Sequence, residues 1–191
     1  MKIYGDMSKL NSKTRVIILI GESGAGKSTL SEFLDMPESW FVSSSLMIDI
    51  ITKRGLPINH DTIHRVANEK YGENPYWQIP HMLEVLDKTG LLLLDGPRRT
   101  DEVKRLLEVC LETVIVRVVT GFQERQGRLK HRDGADEDAF KRVVADEKSE
   151  TGLVDHLLMM ADITVENRGF LEDLRDIAKE ILIRLKGGNK S

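Results

Sequence analysis

The sequence predicts a three-layer α/β domain, a parallel β-sheet with helices on both faces. Two observations carry this. Val16-Ile17-Ile18-Leu19-Ile20 is an unbroken apolar run rich in β-branched residues, and similar short runs recur at 91–94, 113–119 and 163–165. Such runs mark strands buried on both faces, as in a sheet covered by helices on each side. Between them lie longer segments with helical spacing. Strands alternating with helices imply a doubly wound parallel sheet. Right-handed crossovers then gather the loops that follow the strands along one edge, where ligands bind.

In chain order, residues 1–14 read as a short arm or an extra edge element. The run 16–20 is the first buried strand, and a helix follows over 27–34, before Pro37. Trp40-Phe41-Val42 is a short second strand. Helices are expected over 45–54 and 60–71, separated by Gly55-Leu56-Pro57. Another is expected to open near Pro75 and run toward Lys88, with Pro80 as a point of interruption and Gly90 as its stop. The third strand, 91–95, precedes a helix that Thr100 or Asp101 caps and that runs to about Leu111. The fourth strand spans 113–119, helices follow at about 121–131, 136–149 and 152–160, and 163–165 is a fifth strand. The last helix, 170–186, aligns Leu171, Leu174, Ile177, Ala178, Ile181 and Leu185 on one face.

Composition narrows the class. The 191 residues suit one domain with a substantial core. Lys and Arg number 28 against 31 Asp and Glu, so no global positive charge marks a general nucleic-acid binder. Cys110 is the only cysteine, which rules out an intrachain disulfide or a cysteine metal site and fits a reducing compartment. No apolar run reaches the length of a membrane span and residues 1–14 lack a leader pattern, so a soluble, cytoplasmic protein is expected.

Gly21-Glu22-Ser23-Gly24-Ala25-Gly26-Lys27-Ser28 matches G-x-x-x-x-G-K-[ST] in full, with a buried strand before it and a helix after it. The glycines let the backbone curl so that successive N–H groups converge on one anion, at the positive end of a helix. Lys27 is expected to reach the β- and γ-phosphates of ATP, with Ser28 on Mg²⁺ and Thr29 beside it. Leu91-Leu92-Leu93-Leu94-Asp95 is an apolar strand ending in an acid, which makes Asp95 the second metal-side residue.

Leu94-Asp95-Gly96-Pro97-Arg98-Arg99-Thr100 resembles the Leu-Asp-Gly-Phe-Pro-Arg-Thr segment of adenylate kinases and related nucleoside monophosphate kinases, lacking the Phe and carrying an extra Arg. The resemblance implies a five-stranded parallel sheet in the order 2-3-1-4-5, with Arg98 or Arg99 gripping an acceptor phosphate. Gly121 to Arg142 is dense in charge, and Arg125, Arg128 and Arg132 share a helix face by spacing. This segment resembles the lid of nucleoside monophosphate kinases and dephospho-coenzyme A kinases. The likeness implies that Arg128 and Arg132 stabilise the transferring phosphoryl group and that Arg142 follows the lid. Ala161 to Gly169 resembles the last strand and loop of dephospho-coenzyme A kinases, which makes Asn167 and Gly169 candidate contacts to the adenine.

The resemblance also implies that the helical insert at about 43–89 binds the acceptor, between core segments 15–42 and 90–185, with the lid at about 125–142. Residues 53–57 and 61–72 look like a group of archaeal-type proteins related to these kinases. Asp49, Arg54 and Arg65 are candidate acceptor contacts, and Asp49 is also a candidate base for an acceptor hydroxyl. The Gly-Asp and following Arg that adenylate kinases carry after the second strand have no counterpart in Ser43-Ser44-Ser45-Leu46-Met47-Ile48-Asp49. His60 and His64 are four apart but lack a third ligand in the sequence, and Trp40 and Trp77 read as packing residues. The expected function is an ATP- and Mg²⁺-dependent small-molecule kinase, a monomer or homodimer, acting on a nucleoside or deoxynucleoside monophosphate. Dephospho-coenzyme A is the alternative acceptor, and a nucleotide-dependent switch is the competing class.

Overall fold

The computed structural model describes residues 2–97, 99–133, 159–168 and 170–187, apart from the side chains of His60, Arg132 and Asp133. Six strands form one sheet: β1 (Lys2–Gly5), β2 (Val16–Ile20), β3 (Trp40–Val42), β4 (Leu92–Asp95), β5 (Thr113–Val119) and β6 (Ile163–Glu166). Their order is β1-β6-β5-β2-β4-β3. β2 lies at the centre, parallel to β4 on one side and β5 on the other, with Ile18 level with Leu94 and with Ile115. β3 and β6 extend the parallel part, and β1 closes one edge antiparallel to β6. The sheet therefore has one strand more than the five expected. The extra one comes from the N-terminal arm, which two side chains fasten. Asp162 accepts the Ile115 N–H at 2.8 Å and pairs with Lys9, and Arg184 donates to the Met7 carbonyl at 3.1 Å.

The helices are α1 (Lys27–Leu34), α2 (Ser43–Lys53), α3 (His60–Glu73), α4 (Ile79–Thr89), α5 (Thr100–Val109), α6 (Phe122–Asp133) and α7 (Leu171–Leu185). All five residues of β2 are buried, and their alternation divides the core. Ile17 and Leu19 join Leu93, Val116 and Val118 under Leu30 and Leu34 of α1 and Leu174, Ile177 and Ile181 of α7. Val16, Ile18 and Ile20 join Leu92, Leu94 and Ile115 under Met82 and Leu86 of α4 and Val103 and Leu106 of α5. Burying each such side chain is worth about 1.5–3 kcal/mol, so the centre of the sheet is the most strongly held part of the molecule. A third, smaller cluster, Met47, Ala67 and Tyr71 with Ile63 and Trp77, joins α2 to α3.

Two helix starts differ from expectation. Pro80 is within the first turn of α4, where its missing N–H has no acceptor to lose, so it opens the helix and interrupts nothing. Thr100 is already helical in α5; Arg99 takes the cap position without a side-chain cap, and Asp101 and Glu102 meet the positive end of the helix. α3 does begin with a side-chain cap, Asn59 accepting from the Thr62 N–H at 2.9 Å. The helices predicted over 136–149 and, for the most part, 152–160 lie outside the described residues.

Candidate functional site

β2 ends at Ile20 and α1 begins at Lys27, so the phosphate-loop motif connects the central strand to a helix N-terminus. The backbone requires its glycines. Gly21 has φ +142° and Gly26 φ +107°, and a Cβ on either would meet another group at 2.2 Å (the Val118 carbonyl) or 2.4 Å (Asn167 Nδ2). A side chain would therefore be strained and crowded at both positions.

The carbonyls of this loop are held from outside. Arg125 Nε donates to the Ser23 carbonyl at 2.9 Å, and Arg128 Nη1 donates to those of Gly24 at 3.0 Å and Ala25 at 3.2 Å. Asn167 Nδ2 donates to the Ala25 carbonyl at 2.7 Å, and its own oxygen accepts from Arg128 at 3.3 Å. In a planar trans peptide, a carbonyl and the next N–H point opposite ways. Tying back the carbonyls of Ser23 and Ala25 thus turns the N–H groups of Gly24 and Gly26 to the opposite side. The loop is shaped for an anion before any anion arrives.

Arg125 and Arg128 are three apart on α6, so one helix face supplies both guanidinium groups. Arg125 is 3% exposed and also pairs with Glu22 at 2.7 Å. Asn167 follows β6, is 2% exposed, and has its N–H on the Val119 carbonyl at 2.7 Å; its carbonyl accepts from Thr120 Oγ1. The ends of β5 and β6 and the phosphate loop are thereby one hydrogen-bonded unit.

Lys27 Nζ donates to the loop's own carbonyls, Gly21 at 2.8 Å and Glu22 at 3.2 Å. Asp95 ends β4 level with Leu19 of β2, and is 3% exposed. Burial raises its carboxyl above the usual range, opposed by the Lys27 charge and by hydrogen bonds from Ser28 and Ser31. Gly96 follows, its Cβ position 3.5 Å from Lys27 Cε. A hydroxyl and a carboxylate beside a phosphate loop are hard oxygen donors of the kind Mg²⁺ takes, since it fills its remaining positions with water and phosphate oxygens. Ser28 and Asp95 therefore fit that ion. Among the described residues, no group of three or more His, Cys, Asp or Glu is placed to hold a metal without a substrate's help.

No protein-family model matches this chain. The chain is 28% identical over 182 residues to the UPF0200/UPF0201 protein of Archaeoglobus fulgidus, covering 90% of this chain and 56% of that protein. It therefore spans little more than half the length of that relative. It is 27% identical over 166 residues to the UPF0200 protein of Methanoregula boonei, covering 83% and 90%. Among solved structures it resembles shikimate kinase from Acinetobacter baumannii (TM-score 0.53, 19% identity, 96% and 99% covered). It also resembles a sugar kinase from Janibacter sp. HTCC2649 (TM-score 0.52, 15%, 90% and 95%). Shikimate kinase from Aquifex aeolicus is a third such structure (TM-score 0.50, 22%, 91% and 99%). At these identities the likeness is one of fold, the α/β architecture of P-loop kinases.

The remaining predicted residues are dispersed. Asp49 is exposed on α2. Arg54, at the end of α2, is engaged in a two-pronged ion pair with Glu69 of α3, at 2.8 and 2.6 Å, and Arg65 is exposed. Arg99 lies over the Tyr71 ring, 4.8 Å from its centre, and 3.6 Å from Asp101. Arg98, Arg142, Gly169 and the side chain of Arg132 lie outside the described residues. Trp77 packs edge-on to Tyr71 in the small third cluster. Sequence reasoning placed Arg125 on the arginine face but gave it no role. Its position three residues before Arg128 was the available signal.

No described helix is long and apolar enough to cross a membrane.

Proposed function

We propose that this chain is an ATP- and Mg²⁺-dependent phosphotransferase that moves the γ-phosphoryl group to a nucleotide-like acceptor, a nucleoside or deoxynucleoside monophosphate. The observation that carries it is the preshaped loop at Gly21–Ser28 with Lys27 and the buried Asp95 at its side. Phosphoryl transfer needs positioning and charge stabilisation more than covalent chemistry, and this site supplies both. The loop N–H groups hold the phosphates, and Lys27 exchanges its loop carbonyls for β- and γ-oxygens. Ser28 and Asp95 would hold Mg²⁺, whose charge would offset that of the phosphates. Arg98, Arg99 and Arg132 bring cations to the acceptor and the transferring group, with residues 43–89 as the acceptor-binding insert and about 125–142 as the lid. The fold shared with shikimate and sugar kinases supports this by analogy.

The test is ADP release from MgATP with a panel of nucleoside monophosphates, deoxynucleoside monophosphates and dephospho-coenzyme A, with Lys27→Ala as blank. Release that depends on a monophosphate and vanishes in the blank supports the proposal. Release with dephospho-coenzyme A alone changes the acceptor. Hydrolysis indifferent to every acceptor favours a nucleotide-driven switch.

A further inference from the structure

Beyond the phosphate loop, near the carboxyl ends of β3 and β4, five buried side-chain atoms lack hydrogen-bond partners among the described residues: Ser43 Oγ, Trp77 Nε1, Gln78 Oε1, Arg99 Nε and Glu102 Oε1. They fall into two sets that meet at the consecutive residues Trp77 and Gln78. Gln78 Nε2 donates to the Ser43 carbonyl at 2.8 Å, Tyr71 donates to the other Glu102 oxygen at 3.0 Å, and Arg99 and Trp77 both pack on Tyr71. Ser43, Gln78 and Glu102 are at most 1% exposed. Buried polar groups are nearly always paired, so five orphans in one place call for a partner that the protein itself does not supply.

The position suits an acceptor. Ser43 directly follows Val42, which is level with Asp95, and Arg99 and Glu102 open the helix after Asp95. The intervening Gly96 lies beside Lys27, whose Cε would be 3.5 Å from a Cβ placed there. The inventory of atoms suits a heterocycle. Gln78 Oε1 and Glu102 Oε1 accept, Trp77 Nε1 and Arg99 Nε donate, and Ser43 Oγ does either. The aromatic rings of Tyr71 and Trp77 favour a flat occupant.

We propose that Ser43, Gln78, Arg99 and Glu102 form the subsite that reads the base of the acceptor, a flat heterocycle bearing both N–H donors and a carbonyl or ring-nitrogen acceptor. This rests on the phosphotransferase reading and names the part of the acceptor that reading leaves open. Burial raises the Glu102 carboxyl to about 7, opposed by the Tyr71 hydrogen bond, the Arg99 charge and the Gln78 backbone N–H, so near neutrality it both donates and accepts. α3 and α4 cover the cluster, and the base enters when they part. Parting them means releasing the buried Tyr71–Glu102 hydrogen bond, while the third cluster and the Arg54–Glu69 pair keep α3 on α2.

The experiment is calorimetric titration, without ATP, of AMP, GMP, CMP, UMP and dTMP, with ribose 5-phosphate as the base-free control. The proteins are the parent, Gln78→Leu and the isosteric Glu102→Gln, each checked by thermal melting. One or more monophosphates should bind at least about tenfold more tightly than ribose 5-phosphate. Each substitution should remove about 10- to 100-fold of that affinity, because a site built to hydrogen-bond loses heavily when one partner is removed. Ribose 5-phosphate and MgATP binding should be unchanged. Equal binding of ribose 5-phosphate, indifference of a folded Glu102→Gln protein, or no binding of any monophosphate would overturn the inference and leave internal water as the partner of these atoms. Phosphoryl transfer to a base-free acceptor would overturn the subsite and keep the phosphotransferase reading. Base-selective binding without transfer would do the reverse.

Discussion

Arg125 donates to the Ser23 carbonyl of the phosphate loop, so its replacement tests whether the loop is shaped from its carbonyl side. Arg125→Met keeps much of the buried stem and removes the guanidinium, leaving the Ser23 carbonyl without that donor and Glu22 without its partner. The two losses are unequal. The Ser23 bond is made by a side chain only 4% exposed, whereas Glu22 is 41% exposed and its pair is discounted for solvent screening. A hydrogen bond from a charged group is worth about 1.5–3 kcal/mol. Part of that appears as lost stability of the fold and part as the cost of reordering the loop when phosphate binds. With about half of it falling on binding, MgATP affinity should drop about 3- to 10-fold, at about 1.4 kcal/mol per tenfold. The assay is titration with MgATP beside a melting curve. Lys27→Ala serves as the direct-contact reference, and Arg105→Met, which removes an exposed pair with Glu108 on α5, as the remote control. A folded Arg125→Met protein that binds MgATP within about twofold of the parent would refute the reasoning.

Two further outcomes follow from the same geometry. Gly26→Ala should bind MgATP at least about tenfold more weakly, and the Gly26→Ala/Asn167→Ala pair should not recover. The φ of +107° costs a side chain about 1–2 kcal/mol even after the 2.4 Å contact with Asn167 is removed; recovery in the double variant, measured by titration, would show that crowding alone was at fault. Glu102, raised from 4.5 to about 7 by burial, binds its proton more tightly folded than unfolded. Its contribution is therefore fully present below pH 4.5 and is lost as pH rises to about 7, a change of about 3 kcal/mol. Chemical denaturation from pH 5 to 8 should show the parent losing stability across this window and Glu102→Gln varying less; parallel profiles would show that Glu102 titrates normally.

The phosphate loop was legible because its demands are local. A buried strand, glycines in fixed places, Lys27 and a helix start all lie within thirteen consecutive residues, 16–28, and each leaves its own mark on residue type. Asp95 was legible for a similar reason, as an acid ending an apolar run. Pro80 was misread because the same residue breaks a helix interior and opens a first turn, and only the position of the start separates the two. The N-terminal arm acquired its strand through pairing with β6, more than 150 residues away, a contact to which its own residues give little clue.

The sequence by itself therefore determined the layered α/β class, the buried central strands and the glycine-rich turn between strand and helix, since periodicity and backbone preference act over a few neighbouring residues. The tertiary structure alone decided that Arg125, Arg128 and Asn167 meet behind that turn, that Gln78 reaches the Ser43 carbonyl, and that Tyr71 bonds Glu102 beneath Arg99. The hydrogen bonds that assemble these sets join residues 31 to 142 positions apart. Each member looks like an ordinary polar residue until folding takes away its water and hands it particular neighbours.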